Sequence, residues 1–332
     1  MNKVLIIANI RKSQGGITTQ VKELADSLMS EGVKVETVST HGSIIDRIRG
    51  IYAAYKNAKE CDIILGVGCA YIGFFPIIIA YIISVISNKN VVYNFHDGQV
   101  KGFIERYYGL INFVIKNNKV IVASKYLDDE FKKYGFNSEI IYNHLNELNI
   151  KRINEKGYDK ISIMWARSFE KLYRADLALE AAYLYFNKKN IEFHFYGGGS
   201  EFKYYKDKYM GNNIYFHGNM ERKDLLEEYR KHQIYLNTTE YDNFPMSIVE
   251  AGLNNLIVVS SKIGGIESLY NDNEIVFFKS GNIESLRYNV QKVLNNISEY
   301  RIYSKNLIEK VKTFKWINVR QKWISALNIN NT

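Results

Sequence analysis

Short β-rich apolar runs alternate with longer stretches of helical pattern through most of the chain. The segments "KVLIIANI", "KVETVST", "CDIILGVG", "NVVYNFHD" and "KVIVAS" read as strands, with stretches such as "TTQVKELADSLMSEG" as helices between them. Strands alternating with helices of this length build parallel βαβ units. A second series, "ISIMWAR", "IEFHFYGGG", "NIYFHGN", "QIYLNTT" and "LIVVSS", follows the polar segment from Asn143 to Lys160, which reads as a linker. The pattern predicts two α/β domains, each with a doubly wound parallel sheet, over residues 1–150 and 151–312. Residues 313–332 form a C-terminal helix and tail, where Trp316 and Trp323 fall on one helical face and predict packing.

A length of 332 residues allows each domain its own core. A composition 46% hydrophobic and 14% aromatic is that of a folded globular protein. Cys61 and Cys69 are too few for a disulfide framework or a cysteine metal cluster, and both read as reduced core residues. The N-terminus lacks a small-residue cleavage site, so a cytoplasmic protein is expected. The longest apolar run, Tyr71 to Ser87, contains a glycine and a proline and is marginal for spanning a bilayer. A buried helix starting at Pro76 is expected there, with shallow contact at the inner membrane face as the alternative. The net charge of +9 suits an anionic partner, either a phosphate ligand or an acidic lipid surface. No nucleic-acid-binding signature accompanies it.

The candidate chemistry lies just beyond strands. Gly15 and Gly16 stand between the first strand and its helix, where bare backbone can approach a phosphate or sugar oxygen. Their spacing fits neither the dinucleotide fingerprint nor the phosphate loop of nucleotide hydrolases. His96 ends a strand, where open sheets contact ligands, and Asp97 beside it either orients the ring or points elsewhere. Arg167 ends another strand, followed by Lys171 and Arg174 in the loop, a set suited to holding a phosphate. Gly197, Gly198 and Gly199 open a helix expected to be capped near Ser200, and Gly264 and Gly265 form a further loop at the same edge. In "EYDNFPMSIVEAG", Pro245 suits a first helical position, Asp242 and Asn243 are cap candidates, and Glu250 lies about five residues inside. That arrangement reads equally as a capped helix or as a row of carboxylate, open N–H groups and carboxylate matched to a nucleotide sugar.

In order, "SQGGITTQVKELA", "NFHDG", "ARSFEKLYRADLALEAA", "FYGGGSE", "IYFHGNMERKDLLEEYRKHQIYLNTTEYDNFPMSIVEAG" and "SSKIGGIESL" resemble the retaining glycosyltransferases of family GT4, over nearly the whole chain. The resemblance implies a GT-B fold: two Rossmann-like domains facing a cleft, with the C-terminal helix packing back toward the first. The first is the acceptor side and the second binds the nucleotide-sugar donor, UDP- or GDP-linked, with no cofactor or metal. Glu250 looks like the glutamate on the ribose hydroxyls, and Asp242 stands where the family's first glutamate contacts the donor sugar. Backbone at Phe244, Pro245, Met246 and Ser247, and the Gly198 loop, then approach sugar and phosphates. Arg167 and Lys171 look like the basic pair on the diphosphate, Gly16 brings first-domain backbone to the donor, and His96 stands near the transferred sugar.

Three positions depart from the family pattern. Asp242 replaces a glutamate, the Arg167-to-Lys171 spacing is one shorter than usual, which keeps Arg174 a rival, and "LNNLIVV" replaces a Gly-Pro turn. The implied acceptor is a saccharide or lipid-linked saccharide. The abundance of Lys, Ile, Asn and Tyr suggests a low-GC bacterial sequence and a role in surface polysaccharide or glycolipid assembly. A sugar-nucleotide epimerase of the same fold, or a non-catalytic partner subunit, are the alternatives.

Overall fold

The computed structural model describes residues 2–11, 16–145 and 160–329. The chain divides into two compact units, Met1–Glu147 with Phe314–Thr332, and Leu148–Thr313. In the first unit β1 (Lys3–Ala8), β2 (Lys34–Ser39), β3 (Ile63–Gly68), β4 (Asn90–Phe95), β5 (Lys119–Val122) and β6 (Ser138–Ile140) form a parallel sheet in the order β2-β1-β3-β4-β5-β6. Helices cover both faces. Leu5 and Ile7 join a core with the helices Phe75–Ser87 and Val100–Ile115, while Val4 and Ile6 join one with Gly16–Ser30 and the C-terminal Trp316–Ala326. A strand buried on both faces has no polar side to show, which is why β1 and β3 read as unbroken apolar runs.

The second unit contains β7 (Ile161–Ala166), β8 (Ile191–Tyr196), β9 (Ile214–Gly218), β10 (Ile234–Asn237), β11 (Ile257–Lys262) and β12 (Val276–Lys279). They form a second parallel sheet in the order β12-β11-β10-β7-β8-β9, with Trp165, Phe169, Phe193 and Phe195 in its core. The two sheets are wound differently. The chain reverses direction across the sheet between β1 and β3 in the first, and between β7 and β10 in the second. Open α/β sheets bind ligands just past the carboxyl ends of strands at such a reversal. Arg167 directly follows β7, and residues 238–242 directly follow β10.

Several local expectations change. The linker expected from Asn143 begins later, because Asn143, His144 and Leu145 are buried in the first unit; residues 146–159 lie outside the described residues. Pro245 is the residue before the helix Met246–Leu253 rather than its first, and that helix has no side-chain cap. The Asp242 carboxylate instead accepts the Phe244 N–H at 3.1 Å, closing the turn two residues on. Ser200 does not cap its helix either; its N–H and hydroxyl both donate to the Glu170 carboxylate, at 2.9 and 2.6 Å. Within the apolar run Tyr71 to Ser87, Phe75–Ser87 becomes a core helix, one residue earlier than expected, burying Pro76, Ile77, Ile79, Ala80 and Ile83, while Tyr71–Phe74 forms a 3-10 turn. Trp323 is buried and Trp316 half-buried, with its indole N–H donated to Glu31 at 2.9 Å. Among the described residues no helix is long and apolar enough to cross a membrane.

Candidate functional site

The site forms where the second sheet reverses. Arg167 emerges from β7 between Phe169 and Trp165, which anchor the turn in the core. Its guanidinium donates to the Asp242 carboxylate at 2.8 Å and to the Asn237 side-chain oxygen, from Nη2 at 3.3 Å and Nε at 3.4 Å. The Tyr173 ring lies 5.2 Å from the guanidinium carbon. Burial is the largest influence and opposes the charge, but Asp242 and the neighbouring tyrosines together outweigh it and the Arg167 pKa is raised, so the guanidinium stays protonated. Asp242 and Arg167, assigned by resemblance to sugar and diphosphate separately, are thus direct partners.

Glycines make this closeness possible. A Cβ on Gly197 would sit 2.0 Å from the Arg167 carbonyl oxygen, and Gly197 holds a positive φ of 123° that disfavours side chains. The Gly198 carbonyl accepts the Phe169 N–H at 2.8 Å and the Ser168 hydroxyl at 3.0 Å, so this loop buttresses the arginine's turn. On the other side, a Cβ on Gly265 would lie 2.0 Å from the Asp242 carbonyl oxygen. The loop after β11 therefore packs directly beneath the Asp242–Asn243 backbone.

The helix Met246–Leu253 starts at this turn. The N–H groups of Ile248 and Val249 bond back to the Pro245 carbonyl, at 3.0 and 3.4 Å, whereas those of Met246 and Ser247 take no partner among the described residues. Unpaired N–H groups and the helix dipole together favour an anion. One turn further in, Glu250 is 8% exposed and receives the Arg222 guanidinium at 3.2 Å. Arg222 opens the helix Arg222–Tyr229. Sequence pattern alone does not single out Arg222 and Asn237: both lie inside the quoted motif, but only the fold carries one to Glu250 and the other to Arg167.

The two loop cations separate clearly. Arg174 adopts left-handed backbone and is held on both sides, by Asp176 through Nε and Nη2 and by Glu240 at 2.5 Å. Lys171 is exposed and makes no ion pair among the described residues. The Glu240 N–H in turn donates to the Leu172 carbonyl at 2.9 Å, so Arg174 fastens this loop to the segment after β10.

In the first unit, Gly16 opens its helix with nothing among the described residues within 4 Å of where a Cβ would stand; Gly15 lies outside the described residues. His96 follows β4, and burial lowers its pKa to about 4, leaving the ring neutral near pH 7. Its Nε2 is buried without a partner among the described residues and lines a cavity of about 10 Å³ with Gln20, Asn143, His144 and Trp323. Asp97 does not orient it. That carboxylate accepts the Ala70 and Gln99 N–H groups at 2.9 and 2.8 Å.

The model of the family described as glycosyl transferases group 1 matches residues 146–312. A subunit of the human phosphatidylinositol N-acetylglucosaminyltransferase is 32% identical over 107 residues, covering 32% of this chain. The match spans only 22% of that longer protein. Among solved structures, HepE of Anabaena, crystallised with UDP and glucose, superposes with a TM-score of 0.76 at 14% identity, over 99% of this chain and 100% of that one. The sucrose-phosphate synthase of Thermosynechococcus elongatus superposes at 0.82 and 14% identity, over 98% of each chain. At these identities the likeness establishes the shared two-domain GT-B fold.

Proposed function

The chain belongs to the glycosyl transferases group 1, and from that premise we propose that it moves a sugar from a nucleoside diphosphate sugar, UDP- or GDP-linked, to an acceptor hydroxyl with retention of anomeric configuration. The observation that carries the reading is the helix start at Met246, whose open N–H groups lie between the Arg167–Asp242 and Arg222–Glu250 ion pairs. Anion-seeking N–H groups flanked by carboxylates fit a diphosphate between two hydroxyl-bearing rings. HepE, with the same fold, was crystallised with UDP and glucose.

In this reading Glu250 grips the ribose hydroxyls, with Arg222 holding its carboxylate in place. Arg167 and Lys171 meet the charge that builds on the departing diphosphate, and no metal is called on. Fixed donors aimed at developing charge each contribute about 3 kcal/mol to the transition state. Asp242 holds the guanidinium in place and closes the turn that presents Phe244, Pro245, Met246 and Ser247 to the sugar. The bond from the anomeric carbon to the phosphate oxygen breaks as the acceptor oxygen bonds on the same face, and the acceptor's proton passes to the departing phosphate. Gly198 supports the Arg167 turn. Gly16, on the carboxyl edge of the first sheet, offers bare backbone to the donor, and His96 on the same edge serves the transferred sugar as a neutral ring. The acceptor we assign is a saccharide or lipid-linked saccharide of bacterial surface polymer or glycolipid assembly, reached from the cytoplasm at the inner membrane face.

A thermal-shift panel of nucleotides and nucleotide sugars tests this directly. A donor at 100 times its dissociation constant should stabilise the protein by about 2.7 kcal/mol. Glu250→Ala should abolish that shift for every nucleotide while the ligand-free protein still unfolds cooperatively. A wild-type protein that no nucleotide shifts would overturn the assignment.

A further inference from the structure

The helix Ile44–Ala58 packs by its small residues and Ile51 and turns its other large residues outward. Its only buried residues are Ala54 and Ala58, and a Cβ on Gly50 would meet the Ser39 carbonyl at 2.2 Å. Gly50, Ala54 and Ala58 recur every four residues and form one stripe, on which the helix sits close to the sheet. The opposite stripe carries Ile44, Ile45, Ile48, Tyr52 and Tyr55, the first four 61–77% exposed. Residues 41–49 are exposed throughout. The helix is nonetheless firmly begun: Ser43 and Asp46 form a reciprocal cap, with Ser43 N–H on the Asp46 carboxylate at 3.0 Å and the Asp46 N–H on the Ser43 hydroxyl at 3.2 Å.

An ordered helix with an outward apolar stripe needs a partner, and its charges say which. Arg49 and Lys56 border the stripe, Lys59 lies over the Tyr55 ring at 4.9 Å, and Arg47 stands on the other flank. The one acid of the helix, Asp46, is engaged in the cap. Two copies of this chain meeting here would set like charges against each other. An apolar stripe with tyrosines and cationic borders instead matches the boundary of an anionic lipid leaflet, where the apolar side chains enter and the cations meet phosphates. The location agrees: the helix begins past the carboxyl end of β2, and past β3 on the same sheet edge Ile72 is 80% exposed. By contrast, the exposed residues Ile82, Val85 and Ile86 of the long apolar run end their helix at the opposite edge.

We propose that the helix Ile44–Ala58, with Ile72 at the same sheet edge, binds the surface of an anionic phospholipid membrane, setting the carboxyl edge of the first sheet toward the headgroups. This deepens the assignment of a membrane-borne acceptor and rests on it for its purpose, but not for its measurement, because vesicle binding needs neither donor nor acceptor.

The test is flotation of the purified chain with vesicles of phosphatidylcholine and phosphatidylglycerol, against phosphatidylcholine alone, at low and high salt. The wild type should float with the anionic vesicles and be released by salt. Ile44→Asp with Ile48→Asp should lower partitioning at least tenfold with an unchanged melting temperature. Arg49→Ser and Lys56→Ser should each lower it about fivefold. Wild-type protein that stays unbound at low salt, or an Ile44/Ile48 variant that binds undiminished, overturns the proposal. So does light scattering showing a wild-type dimer that the same variant dissociates. Donor binding by a wild type that fails to float would leave glycosyl transfer standing and remove only the membrane face.

Discussion

Both oxygens of the Asp242 carboxylate have a partner, the Phe244 N–H on one and the Arg167 guanidinium on the other. A side chain so committed acts mainly by holding others in place. The shorter aspartate suits that duty, since a carboxylate kept near its own backbone can close an Asx turn. Asp242→Asn should keep the turn, whose N–H needs only an oxygen, but weaken the charge-assisted bond to Arg167. The expected result is a kcat lowered with KM little changed, and an Arg167→Ala variant should show a larger loss of the same kind, about 10²- to 10³-fold. Steady-state kinetics with saturating donor measure both. Arg222 acts on the other carboxylate. Arg222→Met removes the charge that pairs with Glu250, so nucleotide affinity should fall while kcat for bound donor stays close to wild type, which titration calorimetry with the nucleotide reads directly.

The elements carrying these residues depend on contacts shorter than any side chain allows. Gly265 lies under the Asp242–Asn243 backbone with no room for a Cβ, so Gly265→Ala must push either its loop or the turn aside. Overpacking of this kind costs about 1–3 kcal/mol. A loss of that size in the second unit's unfolding free energy, read as a lower denaturant midpoint at unchanged slope, with lost nucleotide binding, is expected; normal binding would show that the turn's position does not matter. Sequence pattern revealed most such elements but not all. Ten strands announced themselves as apolar runs closed by turn residues, whereas β6 and β12, each at a sheet edge, are short and partly exposed, and so lack that signal. The glycine loops were legible as close backbone approaches, but not what they approach: the Gly197 loop supports Arg167 and the Gly265 loop supports Asp242. Likewise Arg174 and Lys171 look equivalent in sequence. Only the fold supplies the Glu240 and Asp176 carboxylates that occupy Arg174.

Across the whole molecule, each unit has its own core and each holds histidines that burial keeps neutral, His96 and His144 in the first and His194 and His232 in the second. In the first unit burial lowers the His144 pKa to about 4; its Nε2 lies 2.9 Å from the Ser27 hydroxyl. In the second, burial and then the neighbouring His194 and His217 lower His232 to about 3, with Nδ1 2.6 Å from the Ser162 hydroxyl and Nε2 3.0 Å from that of Tyr196. Both folded values lie below the ordinary histidine pKa near 6.5, so between the two the unfolded chain binds more protons than the folded one. The stabilisation is therefore fully present above pH 6.5 and declines as the pH falls toward 4. At pH 5 each of these two histidines should have cost its unit about 2 kcal/mol, a large share of the 5–15 kcal/mol typical of a domain. Because each unit holds such histidines, both should weaken together, and denaturation followed at pH 7.5 and pH 5 should show every transition moving to lower denaturant. His232→Gln keeps polar atoms for Ser162 and Tyr196 but removes one titration, so it should lessen the pH dependence of the second unit alone, leaving the part that the buried His194 contributes. A second unit whose midpoint still falls as steeply in that variant would mean that the acid sensitivity arises elsewhere.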